Sequence, residues 1–515
     1  MLPSRAAASS ALRPVETLAV AVAALVLAVG LGALTAGEPL AGLAVAGAFV
    51  LAVATLIRPE VATLLAVFLL WANVPAVAVN EQGIPRSIGI AIPLIMVVPL
   101  LYYIVQGQRF VRTPVLWLLV ALLIVQVLSS VFAREQQLAF EGVQTFVFEG
   151  LVIFVLASNV VRTPMTARRV IWALMLAGGL LGALSLFQTV TGTFDRPYGG
   201  FAQVGAEFFR GLTDEPRLTG PLGDSNYYAQ ILATLVPLGL LRVFGEPGVR
   251  LRLLAAALTG LMIVGIAFTL SRGAGLTLVA VLVLMVALRY VKATQAVAVV
   301  AAGLILLVAV PQYRDRVLTL GTVTNVTLPA GEQEVADVSL RGRLVESRAA
   351  GLAFTDNLLI GVGPRNFPVQ FQRYAAQVGG SVHQRVRFGA NAGGVPEREA
   401  HSLFLGVAAD LGLAGLVTFT GALAVTLGML ARARRRALRA RRPDLANLAA
   451  GFLLAVAAYV ISGVFLTLAF ERYLWLLLGL ATATAVLVSR LSTGGAAAGT
   501  EAPPGALARP LSNST

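Results

Sequence analysis

The feature that most constrains this chain is a series of apolar runs, each long enough to cross a lipid bilayer. A helix needs about 20 apolar residues to span a hydrocarbon core about 30 Å thick. Fourteen such runs lie at residues 16–36, 39–57, 60–80, 87–106, 113–133, 145–161, 168–191, 225–243, 251–270, 273–289, 293–310, 401–430, 445–468 and 471–489. The pattern predicts an all-α, polytopic transmembrane helix bundle of about 12–14 spans.

Composition excludes several classes of protein. The chain is 57% hydrophobic and 12% charged, whereas soluble domains carry about 25% charged residues, so the apolar side chains require lipid. A membrane protein collects Lys and Arg in cytoplasmic loops, which accounts for the net charge of +14; we expect membrane lipids, and no nucleic acid, as partners. Because the sequence has no cysteine, disulfides, thiolate metal sites and cysteine nucleophiles are excluded.

The basic residues of the short loops predict the orientation of the chain. Segment 432–442 holds seven arginines between two spans and should be cytoplasmic by the positive-inside rule. Counting from it, the other basic loops and both termini fall on the same side, whereas residues 192–224, the Ser271–Gly273 turn and residues 311–400 fall outside. We expect a multi-pass protein of the cytoplasmic (inner) membrane, with its active site facing the periplasm or the cell exterior.

These spans divide the chain into five regions. They are N-terminal transmembrane helices at 1–200, central transmembrane helices with outer arginine-bearing loops at 201–310, a long extracytoplasmic loop at 311–400, C-terminal transmembrane helices at 401–490 and a disordered cytoplasmic tail at 491–515.

The long extracytoplasmic loop should contain short helices and could close over a lipid-borne substrate. One helix is predicted within Leu340–Gly363, on the membrane surface or packed against the spans, and segments 322–336 and 379–394 should be irregular. The residues near helical spacing are Leu344, Ala349 or Ala350, Leu352 and Ala353.

Few residues are suited to metal or nucleotide chemistry. The chain has two histidines, His383 and His401, and no cluster of His, Asp and Glu with ligand spacing, so no metal and no other cofactor is predicted. Gly361-Val362-Gly363 lacks the strand and helix that frame a nucleotide loop and is interpreted as a turn. His383, in a glycine-rich basic stretch, is interpreted as an ordinary loop residue.

Three residues at the predicted outer boundary of the membrane are suited to glycosyl transfer. Arg217 precedes a span, Arg272 lies in the turn between two spans, and His401 begins the span after the long loop. Arginine is permanently charged and can hold a phosphate by two parallel hydrogen bonds, and histidine can take a proton near neutral pH. Together they could orient a diphosphate leaving group and deprotonate an acceptor hydroxyl.

Structural roles for the same residues stay open. Arg272 could anchor a tight hairpin among lipid headgroups, Arg217 could pair with Asp214 or Glu215, and His401 could simply begin a helix at the interface. Carboxylates inside a span cost about 2.5–3.5 kcal/mol on insertion scales. Glu149 and Asp410 should therefore hydrogen-bond across helices or line an ion path.

Several short motifs occur in a fixed order over about residues 200–490. They are Arg217-Leu218-Thr219-Gly220, Asp224-Ser225-Asn226, Leu270-Ser271-Arg272-Gly273, Leu359-Ile360-Gly361-Val362-Gly363-Pro364 with Asn366-Phe367, AHSLFLGVAADLGLAG from Ala400, and Phe470-Glu471-Arg472 before Trp475. In this order and placement they resemble the O-antigen ligase family. Ten residues separate His401 from Gly412, a spacing characteristic of those ligases.

The resemblance implies a metal-independent glycosyltransferase that takes a glycan from an undecaprenyl diphosphate carrier at the outer face of the cytoplasmic membrane. His401 would be the catalytic base or a substrate-positioning residue, and Arg217 and Arg272 would bind the diphosphate. Further candidate substrate-binding residues are Arg210, Asn226, Arg341, Arg343 and Arg365.

Four functions stay open. A ligase would transfer a finished glycan to lipid A core, another glycan or a protein, whereas a polymerase of O-antigen or exopolysaccharide would add repeat units to a lipid-linked chain. The glycine spacing after His401 favours the ligase. A solute transporter would use Glu149 and Asp410, and a scaffold of envelope assembly predicts that His401→Ala and Arg272→Ala are silent.

Overall fold

The computed structural model describes residues 55, 58–85, 92–209, 215–309, 330–378, 398–466, 469 and 471–497; at 207, 302–309, 330–341 and 494–497 it describes the backbone alone. Apart from Thr55, the predicted spans 16–36 and 39–57 lie outside these residues, as do Arg210 and His383. The described chain is almost entirely helical, which confirms the predicted all-α polytopic bundle.

Fifteen helices form the described part of the chain. They are α1 (Pro59–Trp71), α2 (Val74–Asn80), α3 (Val97–Val105), α4 (Pro114–Val131), α5 (Gln136–Val160, π-helical over Phe146–Val152), α6 (Pro164–Thr191), α7 (Ser225–Gly245), α8 (Val249–Phe268), α9 (Arg272–Ala287), α10 (Ala293–Ala309), α11 (Ala330–Asp356), α12 (Phe367–Gln377), α13 (Leu403–Arg439), α14 (Pro443–Gly463) and α15 (Arg472–Ala497). Between α6 and α7 lie a 3-10 turn (Tyr198–Gly200), a single helical turn (Ala206–Phe209) and the antiparallel strands β1 (Gln203–Val204) and β2 (Leu218–Gly220).

Eight helices in the described residues are long and apolar enough to cross a membrane: α4 to α8 and α13 to α15. The pair α1 and α2, bent by 56°, is a ninth candidate. The apolar segment Ile92–Val105 and α9 are shorter. Each of these helices overlaps one of the predicted spans, and the chain is a multi-pass membrane protein.

Proline sets the start of several helices. It is the first residue of α1, α4, α6 and α14, a position where its missing N–H costs nothing and its fixed φ suits the helix. Thr163 adds a side-chain cap before α6, because its hydroxyl accepts from the Thr166 N–H at 3.0 Å. At the other end of α6, Gly192 takes a left-handed conformation with φ +65° and ends the helix.

Helix α14 lies at the centre of the bundle, in contact with α7, α9, α13 and α15, while α8 packs on α6 and α7. Small residues allow the closest approaches. A Cβ added at Gly182 of α6 would lie 2.2 Å from the Leu261 carbonyl oxygen of α8, and one added at Gly239 of α7 would lie 2.1 Å from Thr259 Oγ1. Such contacts supply the packing energy that replaces the hydrophobic effect between helices in lipid.

The two ends of the bundle carry different loops. At one end the basic loops meet: Arg168 pairs with Glu246, and Arg434 Nη2 donates to the Leu288 carbonyl oxygen at 3.0 Å. We call this the arginine end. The opposite end, which we call the His401 end, holds the first residues of α7, α9, α13 and α15.

The helix predicted within the long loop is longer than expected. Helix α11 has 27 residues and starts inside the segment 322–336 that was predicted to be irregular, because Glu332, Gln333 and Glu334 favour helix and suit its N-terminus. It packs on α12 and α13, which confirms a helix against the spans. Ala349, Ala350 and Ala353 are buried there, whereas Leu344 is 50% exposed, so the contact face consists of small residues.

Two other helices also extend beyond their predicted ends. Helix α13 continues past residue 430 to Arg439, since Arg, Ala and Leu are strong helix formers. Helix α15 continues to Ala497, so the first residues of the predicted tail are helical. The rest of that tail lies outside the described residues.

Candidate functional site

Helix α13 is broken at Gly412, and segment 358–363 fills the break. Gly412 has φ +61° and ψ −160°, a conformation open to glycine alone. The Leu413 N–H donates to the Leu358 carbonyl oxygen at 2.7 Å, and the Gly363 N–H donates to the Asp410 carbonyl oxygen at 2.9 Å. The two glycine motifs are therefore one interlocked unit, which we call the Gly412 lock.

Glycine is also required on the other side of the lock. Gly361 has φ +70°, and an added Cβ would lie 2.3 Å from the Asp410 carbonyl carbon. A Cβ at Gly412 would lie 2.5 Å from the carbonyl carbon of Leu359. These backbone contacts account for the LIGVG sequence and confirm that Gly361-Val362-Gly363 is a turn.

The two carboxylates inside spans make cross-helix contacts, as one of the two sequence interpretations expected. Asp410 accepts from the Phe367 N–H at 2.9 Å and from the Arg365 N–H at 3.1 Å, and thereby fixes the start of α12. Glu149 of α5 pairs with Arg472 Nη2 of α15 at 3.3 Å. Both carboxylates are thus explained by contacts that hold helices together.

His401 lies just before α13 in a left-handed backbone conformation, with φ +45°. Its Nε2 is 3.3 Å from Oε2 of the buried Glu346 of α11, and the other oxygen of that carboxylate accepts from Arg398 Nη1 at 2.7 Å. Non-glycine residues in this conformation cost of order 1–3 kcal/mol and tend to lie at functional sites. The backbone and the carboxylate together fix the direction of the imidazole.

Burial lowers the pKa of His401 below its ordinary value of 6.5. The carboxylates of Glu346 and Asp224 raise this pKa, and Arg343 and Arg398 lower it, but these opposing charges do not overcome desolvation. The imidazole is therefore neutral at neutral pH and has a lone pair to accept a proton.

The first turns of α7 and α9 meet beside this group. Asp224 caps α7 by accepting from the Asn226 N–H at 2.7 Å, and the Asn226 side-chain oxygen accepts from Ser271 Oγ at 3.0 Å. Ser271 precedes α9 and makes no side-chain cap of its own. Arg272 is thus the first residue of a helix rather than part of a free turn, and its side chain is exposed.

Arg217, the residue just before β2, contacts the segment that precedes α9. Its Nε donates to the Thr269 carbonyl oxygen at 3.3 Å, two residues before Ser271. The contacts therefore bring the segments that carry Arg217, Asn226 and Arg272 together at the His401 end. Asp224 lies close enough to His401 for its carboxylate to raise the pKa of the imidazole electrostatically.

The remaining predicted residues are distributed unevenly. Arg343 lies one turn before Glu346 on α11 and acts electrostatically on His401. Arg365 is exposed at the Gly412 lock, away from the imidazole contacts. The side chain of Arg341 and all of Arg210 lie outside the described residues.

Several residues of the site were missed from sequence. The Tyr227 hydroxyl donates to Glu399, two residues before His401, and Glu471 acts on the same tyrosine from the start of α15. Burial raises the pKa of Glu471. One available signal was the concentration of charge at 398–401, where Arg398, Glu399 and His401 precede an apolar span.

Within the described ranges, no group of three His, Cys, Asp or Glu side chains has the arrangement of a metal site. The cationic groups beside His401 are arginines, which are permanently charged.

Part of the chain matches a known family. The family model described as O-Antigen ligase matches residues 257–420, a range that holds Arg272, α11, the Gly412 lock and His401, while Arg217 and Asn226 precede it. A search of curated proteins found no match. The match confirms the resemblance drawn from the motifs: this membrane protein carries an O-antigen ligase family domain, and it is an enzyme of glycan transfer of the ligase or polymerase type.

Proposed function

We propose that this protein moves a glycan from an undecaprenyl diphosphate carrier to an acceptor hydroxyl at the outer face of the cytoplasmic membrane. The observation that carries the proposal is the placement of a neutral histidine and two arginines at the same end of the bundle, with the carboxylate of Asp224 acting on the imidazole from the start of α7. The acceptor would be lipid A core, another glycan or a protein.

The proposed step exchanges one bond at the anomeric carbon. The acceptor oxygen forms a bond to that carbon while the bond to the diphosphate oxygen breaks, and the hydroxyl proton passes to His401. The lipid diphosphate leaves with the electron pair. Arg217 and Arg272 stabilise its charge, because a guanidinium can donate two parallel hydrogen bonds to phosphate.

The surroundings of Arg272 support its role. Its side chain is exposed at the first position of α9, where the unpaired backbone N–H groups of a helix terminus favour an anion. The Ser271 hydroxyl is engaged with Asn226, so it does not cap these N–H groups. Asn226 thus joins the two helix starts, and Arg343 adds positive charge on the α11 side.

We propose that transfer needs no divalent metal ion. The arginines supply the permanent positive charge that a diphosphate leaving group requires. Activity in the presence of a chelator should equal activity without one, and a strict requirement for added Mg²⁺ or Mn²⁺ would contradict this part of the proposal.

The proposed side of the membrane rests on the positive-inside rule. The segment of seven arginines and the basic loops beside it lie at the arginine end, which we assign to the cytoplasm. The His401 end then faces the periplasm or the cell exterior, and both chain termini are cytoplasmic.

The test is mass spectrometry of lipid-linked glycans and glycosylated acceptors in cells lacking the protein, complemented by wild type or His401→Ala. Accumulation of carrier-bound glycan with loss of acceptor product, restored by wild type alone, is expected for a ligase. Lys292→Ala, an exposed charge removed at the arginine end, is the matched control and should restore the product.

Other outcomes would change the conclusion. Accumulation of carrier lipid bearing a single repeat unit would indicate a polymerase instead of a ligase. An unchanged glycan profile in the deletion strain would overturn glycan transfer as the function. Full complementation by His401→Ala, at a normal membrane level, would remove the proposed base.

A further inference from the structure

A buried carboxylate lies behind the proposed base. Glu346 is 3% exposed, in the middle of a helix whose neighbouring buried residues are alanines. Burying an ionised carboxylate is costly unless it is paired and hydrogen-bonded. Arg398 donates a hydrogen bond to Oε1 at 2.7 Å. His401 Nε2 lies 3.3 Å from Oε2, a distance suited to an ion pair with the imidazolium, and Oε2 accepts no hydrogen bond among the described residues.

The two nitrogens of the His401 ring have different surroundings. Nε2 faces the Glu346 carboxylate. Nδ1 is buried and has no hydrogen-bond partner among the residues that the structure describes. A carboxylate accepts hydrogen bonds only, so it favours the tautomer that carries the proton on Nε2 and leaves the lone pair on Nδ1.

We propose that Glu346 is a positioning residue for the transfer reaction: its carboxylate lies beside Nε2, orients the imidazole of His401 and stabilises its protonated form. The inference rests on the proposed function. Glu346 touches neither donor nor acceptor and acts through the imidazole alone. It gains no proton in the step, and it stabilises the imidazolium that forms when His401 takes the proton.

Arg398 determines which oxygen of the Glu346 carboxylate lies beside the imidazole. By holding Oε1, it leaves Oε2 for the imidazole. It comes from the segment just before α13, as His401 does, so one segment supplies both partners of a carboxylate on another helix. The Gly412 lock and the buried Ala349, Ala350 and Ala353 fix α11 against α13, and the position of Glu346 follows from that packing.

Among the described residues, four charged groups act on the imidazole: Glu346 and Arg343 from α11, Asp224 from the start of α7, and Arg398 from its own segment. Removing the Glu346 charge removes the largest of the influences that raise the pKa of His401. Since the base is active when neutral, the acidic limb of the rate should then move to lower pH. An amide at this position can also donate to Nε2 and favour the wrong tautomer, which lowers the rate.

The experiment compares Glu346→Gln with Asp356→Asn, which removes an exposed carboxylate ten residues further along the same helix. The probes are the lipid-linked glycan and the unglycosylated acceptor extracted from the deletion strain, added to membranes containing each variant. Glu346→Gln should lower kcat by about tenfold to a hundredfold, leave KM unchanged and move the acidic limb to lower pH. Asp356→Asn should match wild type in all three.

Two further variants test the inference if Glu346→Gln folds poorly: Glu346→Asp, and Glu346→Gln combined with His401→Ala. Glu346→Asp retains the charge and should restore the wild-type position of the acidic limb. In the His401→Ala background, Glu346→Gln should cause no further loss, because its effect passes through the imidazole.

The two hypotheses fail in different ways. An active His401→Ala would overturn the proposed base together with this inference. An inactive His401→Ala combined with a wild-type rate and pH profile for Glu346→Gln would overturn the positioning role alone. A rate loss in Glu346→Gln with an unmoved acidic limb would likewise reject it, since a purely structural role predicts that result.

Discussion

Two buried glutamates, one at each end of the bundle, have similar burial and different partners. Glu246 is 1% exposed at the arginine end and is held by Arg168 and Arg242. Glu346 is 3% exposed at the His401 end and is held by Arg398 and His401. Arginine does not lose its proton, whereas histidine does so near neutral pH. The ion pairs of Glu246 therefore persist at every physiological pH. The partners of Glu346, in contrast, include a group that can exchange protons.

The largest expected effect separates chemistry from folding at the His401 end. His401→Ala should lower glycan transfer by at least about a hundredfold, the contribution of a positioned general base, with a normal amount of protein in the membrane. Product formation and immunoblotting of membrane fractions measure the two quantities. If transfer and membrane level fell in parallel, His401 would be a structural residue like Glu246.

Arg272 should show the next largest effect. Arg272→Ala should lower transfer by about a hundredfold, as the loss of one donor to a developing charge does, and Arg272→Lys should recover part of it because lysine keeps the charge without the bidentate geometry. Arg250→Ala, an exposed arginine at the other end, is the control. Equal activity of Arg272→Ala and wild type would assign Arg272 to headgroup anchoring.

Substitution of Glu246 should lower the stability of the protein and not its activity, the opposite of what is expected for His401. Glu246→Ala leaves Arg242, 14% exposed, without its carboxylate and should cost about 3 kcal/mol of stability, the low end for a buried pair because Arg168 is 39% exposed. The loss should be seen as a lower melting temperature of the purified protein and less protein in the membrane. Transfer per folded molecule should be unchanged. A variant of normal stability would show that the ion pairs of Glu246 contribute little to the stability of the fold.

The Gly412 lock should show a smaller loss of stability. Gly412→Ala places a Cβ within 2.5 Å of backbone atoms at positive φ and should cost about 1–3 kcal/mol from the backbone conformation alone, measured by the melting temperature. Gly275→Ala, where an added Cβ meets nothing within 4 Å, should leave it unchanged or slightly raised. Equal melting temperatures of Gly412→Ala and wild type would mean that segment 358–363 can move to accommodate the added Cβ without loss of stability.

The smallest effect is a pH shift in the unmodified protein. Because burial lowers the pKa of His401 below 6.5, the neutral base persists to lower pH, and transfer should fall only below that value. A rate profile from pH 5 to 8 on membranes measures the midpoint. A midpoint above 6.5 would mean that the carboxylates of Glu346 and Asp224 outweigh desolvation.

Sequence was sufficient where local patterns determine structure. Apolar runs of span length located the helices, and the count of basic loops predicted that Arg217 and Arg272 lie at the same end of the bundle. Sequence did not indicate the break in α13, because segment 403–439 contains no proline and the spacing of Gly412 from His401 supported only the family resemblance. Glu346 was missed because its partner is 55 positions away, and only the packing of α11 on α13 brings them together.

The Gly412 lock has a consequence for chain length. Ten residues separate His401 from Gly412, most of them in the first helical turns of α13, where each residue advances the helix by about 100°. One residue inserted there would rotate His401 away from Glu346 while leaving the break and its filling segment intact. The length of this interval thus sets the rotation of His401 about the helix axis. Conservative substitutions at the half-buried Phe404 and Leu405 should be tolerated where a single insertion or deletion is not.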